Sequence, residues 1–279
     1  MSNYDRTADE LSEQLVGIAA AAALEVGDML VEAAIAAARG SVAKEQKASY
    51  HDLVTEYDRK SEQMIVEYIL QQHPDSTIIG EESGASGQGA VHWYIDPIDG
   101  TSNFAAGIPF FCVSIGAVVN STLLAGVIFD PVRDELFSAT PRGSYLNGEP
   151  IRACGSKFDS QALLLTAFPS PHAGVSSQDV ALFGHILERF ATVRRVGSAA
   201  LSLAYVACGR ADVMYEPYIN PWDVAAGMLL VEQAGGQVVG FGSTTTAETP
   251  HVWLRPKIVA ACPEFDLEQS ILNTFFPRI

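Results

Sequence analysis

Apolar residues recur along this chain with two different periods. Near the N-terminus they are spaced three and four residues apart, which predicts one long amphipathic helix; they are Leu11, Leu15, Ile18, Ala22, Val26, Met29 and Ala33. A second helix is predicted from Asp58 to Gln71, because its apolar side chains share one face and His73-Pro74 ends it. The following segment "STIIGEES" predicts a short strand that carries Glu81 and Glu82 at its end.

The remainder of the chain predicts several strands, followed by an alternation of strands and helices. Five apolar runs separated by Gly, Pro and Asn are typical of neighbouring strands; they cover residues 91–96, 111–120, 122–130, 134–140 and 143–148. From about Ser160 to Phe241, strand and helix patterns alternate, which indicates α/β layering. We therefore expect a mixed α/β (α+β) fold in two halves, residues 1–155 and 156–279, with a site at their junction. The segment 84–89, "GASGQG", is expected to be a flexible loop.

Composition and charge exclude several classes of function. The 279 residues include 17 Lys and Arg against 33 Asp and Glu, and the resulting charge of -16 repels nucleic acid and anionic lipid. The start of the chain lacks a signal-peptide pattern, and Glu25 interrupts the apolar run "LVGIAAAAAL" too soon for a membrane span. The four cysteines show no C-x-x-C spacing and are interpreted as buried thiols in a reducing compartment. We expect a soluble cytoplasmic protein with neither nucleic-acid nor membrane partners.

The segment "HWYIDPIDGTSNF", residues 92–104, carries the candidate chemistry. Side chains alternate along a strand, so a D-x-x-D spacing needs a turn, and Pro97 is expected to end the strand and return Asp99 to Asp96. Gly100 allows close backbone approach, and Thr101 can begin a helix whose free N–H groups face an anion. Two neighbouring carboxylates are costly unless a cation lies between them. Mg²⁺ suits such oxygen ligands and is commonly shared with a substrate phosphate.

Other acidic residues could complete this site. Glu81 lies at a predicted strand end, and Asp223 lies at a predicted helix start in "NPWDVAAG". Each motif residue alone has an ordinary structural explanation, since Asp99-Gly100 is a common turn and Asp223 a common helix cap. Their occurrence together favours a site. Glu82 is expected to be a solvated neighbour, and the six histidines show no metal-ligand spacing.

Three segments in this order resemble the motifs of a known family. "IIGEES", "WYIDPIDGTSNF" and "PWDVAAGMLLVEQAGG" are similar to the three motifs of the inositol monophosphatase family of Mg²⁺-dependent sugar phosphatases, over about Lys44 to Gly240. The resemblance implies a layered α-β-α-β-α sandwich, usually a homodimer. It also implies hydrolysis of a small phosphorylated polyol or sugar by direct attack of water. Inositol 1-phosphate is the first candidate, followed by fructose 1,6-bisphosphate, glycerol 2-phosphate and 3'-phosphoadenosine 5'-phosphate.

The resemblance also implies roles for individual residues. The expected ligands of two or three Mg²⁺ ions are Glu81, Asp96, the backbone carbonyl of Ile98, Asp99 and Asp223. The expected acceptors of a proton from the attacking water are Glu81 and the pair Thr101 and Asp58, and the expected phosphate contacts are Gly100, Thr101 and Lys47. The expected substrate contacts are Asp99, Gly197, Ser198, Ala199 and Glu216.

Two alternatives stay open from sequence. Haloacid-dehalogenase-like phosphatases use an Asp nucleophile in D-x-D-G-T, whereas this chain has D-x-x-D-G-T preceded by Glu81, which favours activation of water. A protein of the same fold could instead act mainly by binding a macromolecular partner, with incidental phosphatase activity. The acidic composition argues weakly against RNA as that partner.

Overall fold

The computed structural model describes residues 3–38, 44–46, 53–170, 174–242 and 251–275. Outside the sheets, most of the buried apolar side chains of these residues belong to helices. They are α1 (Asn3–Glu25), α2 (Gly27–Ala38), α3 (Glu56–Gln72), α4 (Thr101–Ala106), α5 (Ser177–Arg189), α6 (Ala199–Ala207) and α7 (Pro221–Gln233).

The strands form two main sheets and one small pair. The pair consists of β1 (Lys44–Gln46) and β2 (Leu53–Thr55), which run antiparallel. The larger sheet has eight strands, β3 (Ser76–Gly80), β4 (Gly84–Gly87), β5 (Val91–Asp99), β6 (Cys112–Val119), β7 (Thr122–Asp130), β8 (Glu135–Thr140), β9 (Gly143–Leu146) and β10 (Glu149–Pro150). Its order is β10-β9-β8-β7-β6-β5-β3-β4. All neighbours are antiparallel except β3 and β5.

The second sheet has five strands from the later part of the chain. They are β11 (Leu163–Thr166), β12 (Thr192–Arg194), β13 (Val213–Glu216), β14 (Gln237–Phe241) and β15 (Lys257–Ala261), in the order β12-β11-β13-β15-β14. β11 pairs in parallel with both of its neighbours, and β15 is antiparallel to both of its own.

Helices separate and cover the two sheets. α1 packs on one face of the eight-stranded sheet, and α7 packs on its other face. α6 and α7 also contact the five-stranded sheet, whose far face buries Ile186 and Phe190 from α5 and its end. The result is five layers, which confirms the expected mixed α/β fold and the α-β-α-β-α sandwich.

The structure corrects three local predictions. The predicted single N-terminal helix is two helices, with the break at Val26, where Gly27 lies so near the ring of Phe129 that a Cβ would be 2.7 Å from it. The predicted loop 84–89 begins instead with β4, which pairs with β3 as an edge strand. β15 was not predicted, because "KIVAA" is too short for its period to distinguish a strand from a helix.

The predictions for membrane segments and cysteines have different outcomes. Across the described ranges, no helix combines the length and the apolar composition needed to cross a bilayer. The cysteines are all free thiols, and Cys112 and Cys262 are buried as expected. Cys154 is exposed, so the prediction that all four are buried is wrong.

Candidate active site

A bulge at the end of β5 brings two aspartates to one face of the sheet. Asp96 pairs with Ser114 and Asp99 with Cys112, so the three-residue step on β5 matches a two-residue step on β6. Ser114 and Cys112 share a face of β6 because strand side chains alternate, and the extra residue in β5 therefore gives Asp96 and Asp99 that same face. The prediction that the strand stops at Pro97 is wrong, since β5 continues to Asp99.

The two aspartates open into a cavity of about 510 Å³ between the two sheets. The ends of β3 and β5 and the start of α4 form one side, and residues from the starts of α6 and α7 form the other. Most of the predicted site residues line it, namely Glu81, Asp96, Ile98, Asp99, Gly100, Thr101, Gly197, Ser198, Ala199, Glu216 and Asp223. Lys47 lies outside the described residues.

Asp96 is surrounded by other carboxyl groups. It is 3% exposed, and its side chain is in hydrogen-bond contact with Glu81 and with Asp223. Burial, followed by the negative charge of Glu81, raises the pKa of Asp96 well above its ordinary value. Burial and the charge of Asp99 likewise raise the pKa of Asp223, a half-buried residue in the first turn of α7. This side of the cavity therefore brings three acidic side chains together.

Asp99 is surrounded by hydrogen-bond donors instead. Its carboxylate accepts hydrogen bonds from the backbone N–H of Ala199 at 3.2 Å and of Ala200 at 2.7 Å, and from the hydroxyl of Ser198. The thiol of Cys112 lies 3.7 Å from the same carboxylate. Burial raises the pKa of Asp99, and these hydrogen bonds oppose that rise. Asp99 thus connects the end of β5 to the start of α6, a helix beyond the eight-stranded sheet.

Thr101 and Asp58 form a pair beside the carboxyl groups that surround Asp96. The Thr101 hydroxyl lies 3.3 Å from Oδ1 of Asp58 and 3.0 Å from the carbonyl oxygen of Ile98. Asp58 is buried on α3 at 1% exposure, behind the cavity wall. Gly100 has φ 94°, and a Cβ there would lie 3.0 Å from the carbonyl oxygen of Phe110, so only glycine fits this turn without strain.

Glu216 and Arg195 also line the cavity. Glu216, at the end of β13, is 6% exposed and accepts a hydrogen bond from the backbone N–H of Ala167. Burial raises the pKa of Glu216 well above its ordinary value, and the positive charge of Arg195 opposes this. Arg195 lines the cavity and donates to the carbonyl oxygens of Ala167 and Pro169 at 3.1 and 3.0 Å.

Sequence reasoning missed or misplaced several residues at the cavity. Glu82 was expected to be solvated, yet its side chain is 7% exposed and lies 3.9 Å from Arg59, so that prediction is wrong. Arg195 carried no sequence signal, because an Arg in "TVRRV" is indistinguishable from an exposed strand residue. Glu62 on α3 was also missed; it is 2% exposed and hydrogen-bonds to the segment that follows Glu81. The spacing of Glu62, four residues after Asp58, was the one available signal.

The donor chemistry of the cavity suits a hard divalent cation. Oxygen ligands such as those of Glu81, Asp96 and Asp223 are the ones that Mg²⁺ prefers, and a cation would offset their repulsion. In the described part of the chain, no group of three or more Asp, Glu, His or Cys side chains is arranged so that it could hold a metal ion as it stands. A cation site here would therefore require these side chains to adopt another arrangement.

Comparisons with known sequences identify similar proteins. The sequence model of the inositol monophosphatase family matches residues 11–273. A protein from Xylella fastidiosa named Nus factor SuhB is 44% identical over 68% of this chain and 70% of its own length. An inositol-1-monophosphatase from Synechocystis is 42% identical over 71% of this chain and 70% of its own length.

Solved structures show the same architecture. The inositol monophosphatase from Anabaena superposes with a TM-score of 0.74 at 38% identity, covering 90% of this chain and 92% of that one. The extragenic suppressor protein suhB from Bartonella henselae gives a TM-score of 0.80 at 31% identity, covering 90% and 94%. Because the family model matches nearly the whole chain and the fold agrees, this chain belongs to the inositol monophosphatase family, a family of phosphatases.

Proposed function

We propose that this chain is a Mg²⁺-dependent phosphomonoesterase that hydrolyses inositol 1-phosphate to myo-inositol and phosphate. The observation that supports this most is the convergence of Glu81, Asp96 and Asp223 beside the Thr101–Asp58 pair in one cavity of a phosphatase-family member. Acidic oxygens alone would repel a phosphate ester, so the arrangement requires cations for an anionic substrate to enter.

The residues proposed to hold two or three Mg²⁺ ions are Glu81, Asp96, Asp99 and Asp223 together with the carbonyl oxygen of Ile98. When bound, Mg²⁺ supplies positive charge that offsets these carboxylates and polarises the phosphate ester. Asp99 would contribute while remaining hydrogen-bonded to α6, because a carboxylate has more lone pairs than its donors use.

The chain's own residues position water and move its proton. Thr101 accepts the proton of the attacking water as its own hydroxyl proton passes to Asp58, along the 3.3 Å contact already present. Glu81, at the end of β3, offers a second acceptor on the cavity side. The N–H groups of Gly100 and Thr101 orient the phosphate for in-line attack. The attack breaks the bond between phosphorus and the inositol oxygen, which leaves and takes a proton from solvent. No covalent phosphoenzyme forms, and single-turnover hydrolysis in ¹⁸O-water should leave every aspartate unlabelled.

Substrate choice is proposed to depend on the Glu216 end of the cavity. The buried Glu216 carboxyl can accept a hydrogen bond from a polyol hydroxyl, while Gly197 and Ala199 border the same space. Glu216→Ala should raise KM for inositol 1-phosphate about tenfold, since leaving a buried polar group without its partner costs about 1–3 kcal/mol. The same variant should leave KM for p-nitrophenyl phosphate nearly unchanged. Equal increases for both esters would remove Glu216 from a role in specificity.

The decisive assay is phosphate release from four esters with Mg²⁺ and with excess chelator. The esters are inositol 1-phosphate, fructose 1,6-bisphosphate, glycerol 2-phosphate and 3'-phosphoadenosine 5'-phosphate. Turnover that needs Mg²⁺ and strongly favours inositol 1-phosphate is the expected result. Mg²⁺-dependent turnover of another ester would keep the reaction and change the substrate. No turnover of any ester would contradict the proposal.

The names of the relatives favour a second candidate function. Several relatives at 40–44% identity are named Nus factor SuhB, so this chain could act by binding a macromolecular partner, with phosphatase activity incidental. Affinity capture with the wild type and with Asp223→Asn would test this. The second function predicts the same identified partner with both forms, whereas a purely enzymatic role predicts none.

The expected homodimer stays a prediction, which light scattering coupled to gel filtration can measure.

A further inference from the structure

Helix α3 presents two buried carboxylates to the active site rather than one. Asp58 and Glu62 are 1% and 2% exposed, and they lie on the same face of the helix because they are four residues apart. Asp58 faces Thr101 at the start of α4. Glu62 faces a different part of the site, the segment that leaves β3 after Glu81.

The Glu62 carboxylate holds two consecutive backbone groups. Its Oε2 accepts a hydrogen bond from the N–H of Glu82 at 2.8 Å, and its Oε1 accepts one from the N–H of Ser83 at 2.7 Å. Each oxygen therefore has one donor, and both donors follow Glu81 directly in the chain. The N–H of Glu81 itself donates to the carbonyl oxygen of Ile95 on β5 at 3.1 Å. Glu81 is thus fixed from the sheet on one side and from α3 on the other.

Gly80, the residue before Glu81, leaves room for the Glu62 carboxylate. A Cβ at Gly80 would lie 2.6 Å from the carboxyl carbon of Glu62, closer than real Cβ contacts allow. The Glu62 side chain consequently occupies space that only glycine leaves open. Substituting Gly80 by alanine would displace the carboxylate without removing it, which perturbs the same contact from the opposite side.

We propose that Glu62 is a positioning residue that fixes the backbone of residues 80–83 and thereby aims the Glu81 side chain at Asp96. Because Asp58 and Glu62 belong to one rigid helix, α3 also sets the separation between Glu81 and Thr101. The inference rests on the proposed function in taking Glu81 as a Mg²⁺ ligand. Glutamine cannot replace Glu62, since its amide group has one acceptor oxygen and would present donors to the second N–H.

Mg²⁺ binding to the chelator-treated full chain, measured by isothermal titration calorimetry, tests this positioning role. The variants are Glu62→Gln and Gly80→Ala, with Ile65→Val as the control, because Ile65 is a fully buried apolar residue of the same helix. Glu62→Gln and Gly80→Ala should each weaken Mg²⁺ binding at least tenfold. The Mg²⁺ affinity of Ile65→Val should stay within about twofold of the wild-type value, even if its melting temperature falls as far as those of the other two variants.

The outcomes separate this inference from the function on which it rests. Wild type and Glu62→Gln binding Mg²⁺ equally tightly would overturn the positioning role and leave the proposed function standing. A wild type that binds no Mg²⁺ would contradict both. If Glu62→Gln does not fold, Gly80→Ala decides alone, because it retains the carboxylate; tenfold weaker binding supports the inference and unchanged binding overturns it.

Discussion

Asp96 and Asp99 come from one strand and are both buried, yet their surroundings differ. Asp96 accepts a hydrogen bond from the backbone N–H of Ile98 at 3.0 Å. Asp96 is in contact with the carboxyl groups of Glu81 and Asp223, whereas Asp99 accepts hydrogen bonds from the first turn of α6. Buried like charges destabilise a fold, whereas the hydrogen bonds that Asp99 accepts offset part of the cost of burying its charge. The two aspartates of one motif therefore have different relations to stability, and activity and stability should separate between them.

Turnover should depend most strongly on Asp96. Asp96→Asn should reduce kcat/KM for inositol 1-phosphate by about a thousandfold or more, because it removes charge from the proposed cation site. Its melting temperature in chelator should equal or exceed that of the wild type, since the substitution relieves carboxylate repulsion. Steady-state kinetics and thermal unfolding on the same preparation measure both. An active Asp96→Asn protein would reject the assignment of Asp96 as a metal ligand.

Substitution of Asp99, unlike that of Asp96, should destabilise the fold. Asp99→Asn should lower the free energy of unfolding by about 2 kcal/mol in chelator, because the amide group turns a donor towards the N–H and hydroxyl groups that the carboxylate accepts from. Urea unfolding monitored by circular dichroism measures this value. If Asp99→Asn is as stable as Asp96→Asn, the proposed contrast between the two residues does not hold.

The carboxyl groups around Asp96 should also make the free energy of unfolding depend on pH, and Mg²⁺ should change that dependence. Asp96 and Asp223 have pKa values raised by burial, followed by the charges of Glu81 and Asp99 respectively, so the folded state binds protons more readily than the unfolded state. The free energy of unfolding in chelator should therefore fall as pH rises from about 4 through the folded pKa values. Saturating Mg²⁺ should reduce that fall. Melting temperatures between about pH 5 and pH 8 test this, and identical curves with Mg²⁺ and chelator would contradict it.

The smallest expected effect concerns Ser198, which was predicted to face the substrate. Its hydroxyl caps α6 by accepting from the N–H of Leu201 at 3.2 Å and is also hydrogen-bonded to Asp99. Ser198→Ala should lower the free energy of unfolding by about 1 kcal/mol and change KM little, because the hydroxyl is engaged within the protein. An increase in KM of tenfold or more would instead show that Ser198 contacts the substrate.

Sequence periodicity predicted the elements that present the site more reliably than the contacts within it. The helix and strand patterns after Ser160 correspond closely to α5, α6, α7 and β11 to β14, because their apolar positions follow one period each. The bulge in β5 could not be predicted, since it depends on pairing with β6. Glu62 was missed because helix periodicity is judged from apolar positions. Its burial is explained only by the two backbone N–H groups that donate to its carboxylate, and these are visible only in the structure.

We claim that the carboxylates around Asp96 form a cation site, and crystallography can test this. Crystals soaked in Mn²⁺, which shares the oxygen preference of Mg²⁺, should show anomalous difference peaks among Glu81, Asp96 and Asp223. The same soak of Asp96→Asn crystals should lose at least one peak. A wild-type map without a peak in this cavity, at Mn²⁺ concentrations that support turnover, would contradict the claim.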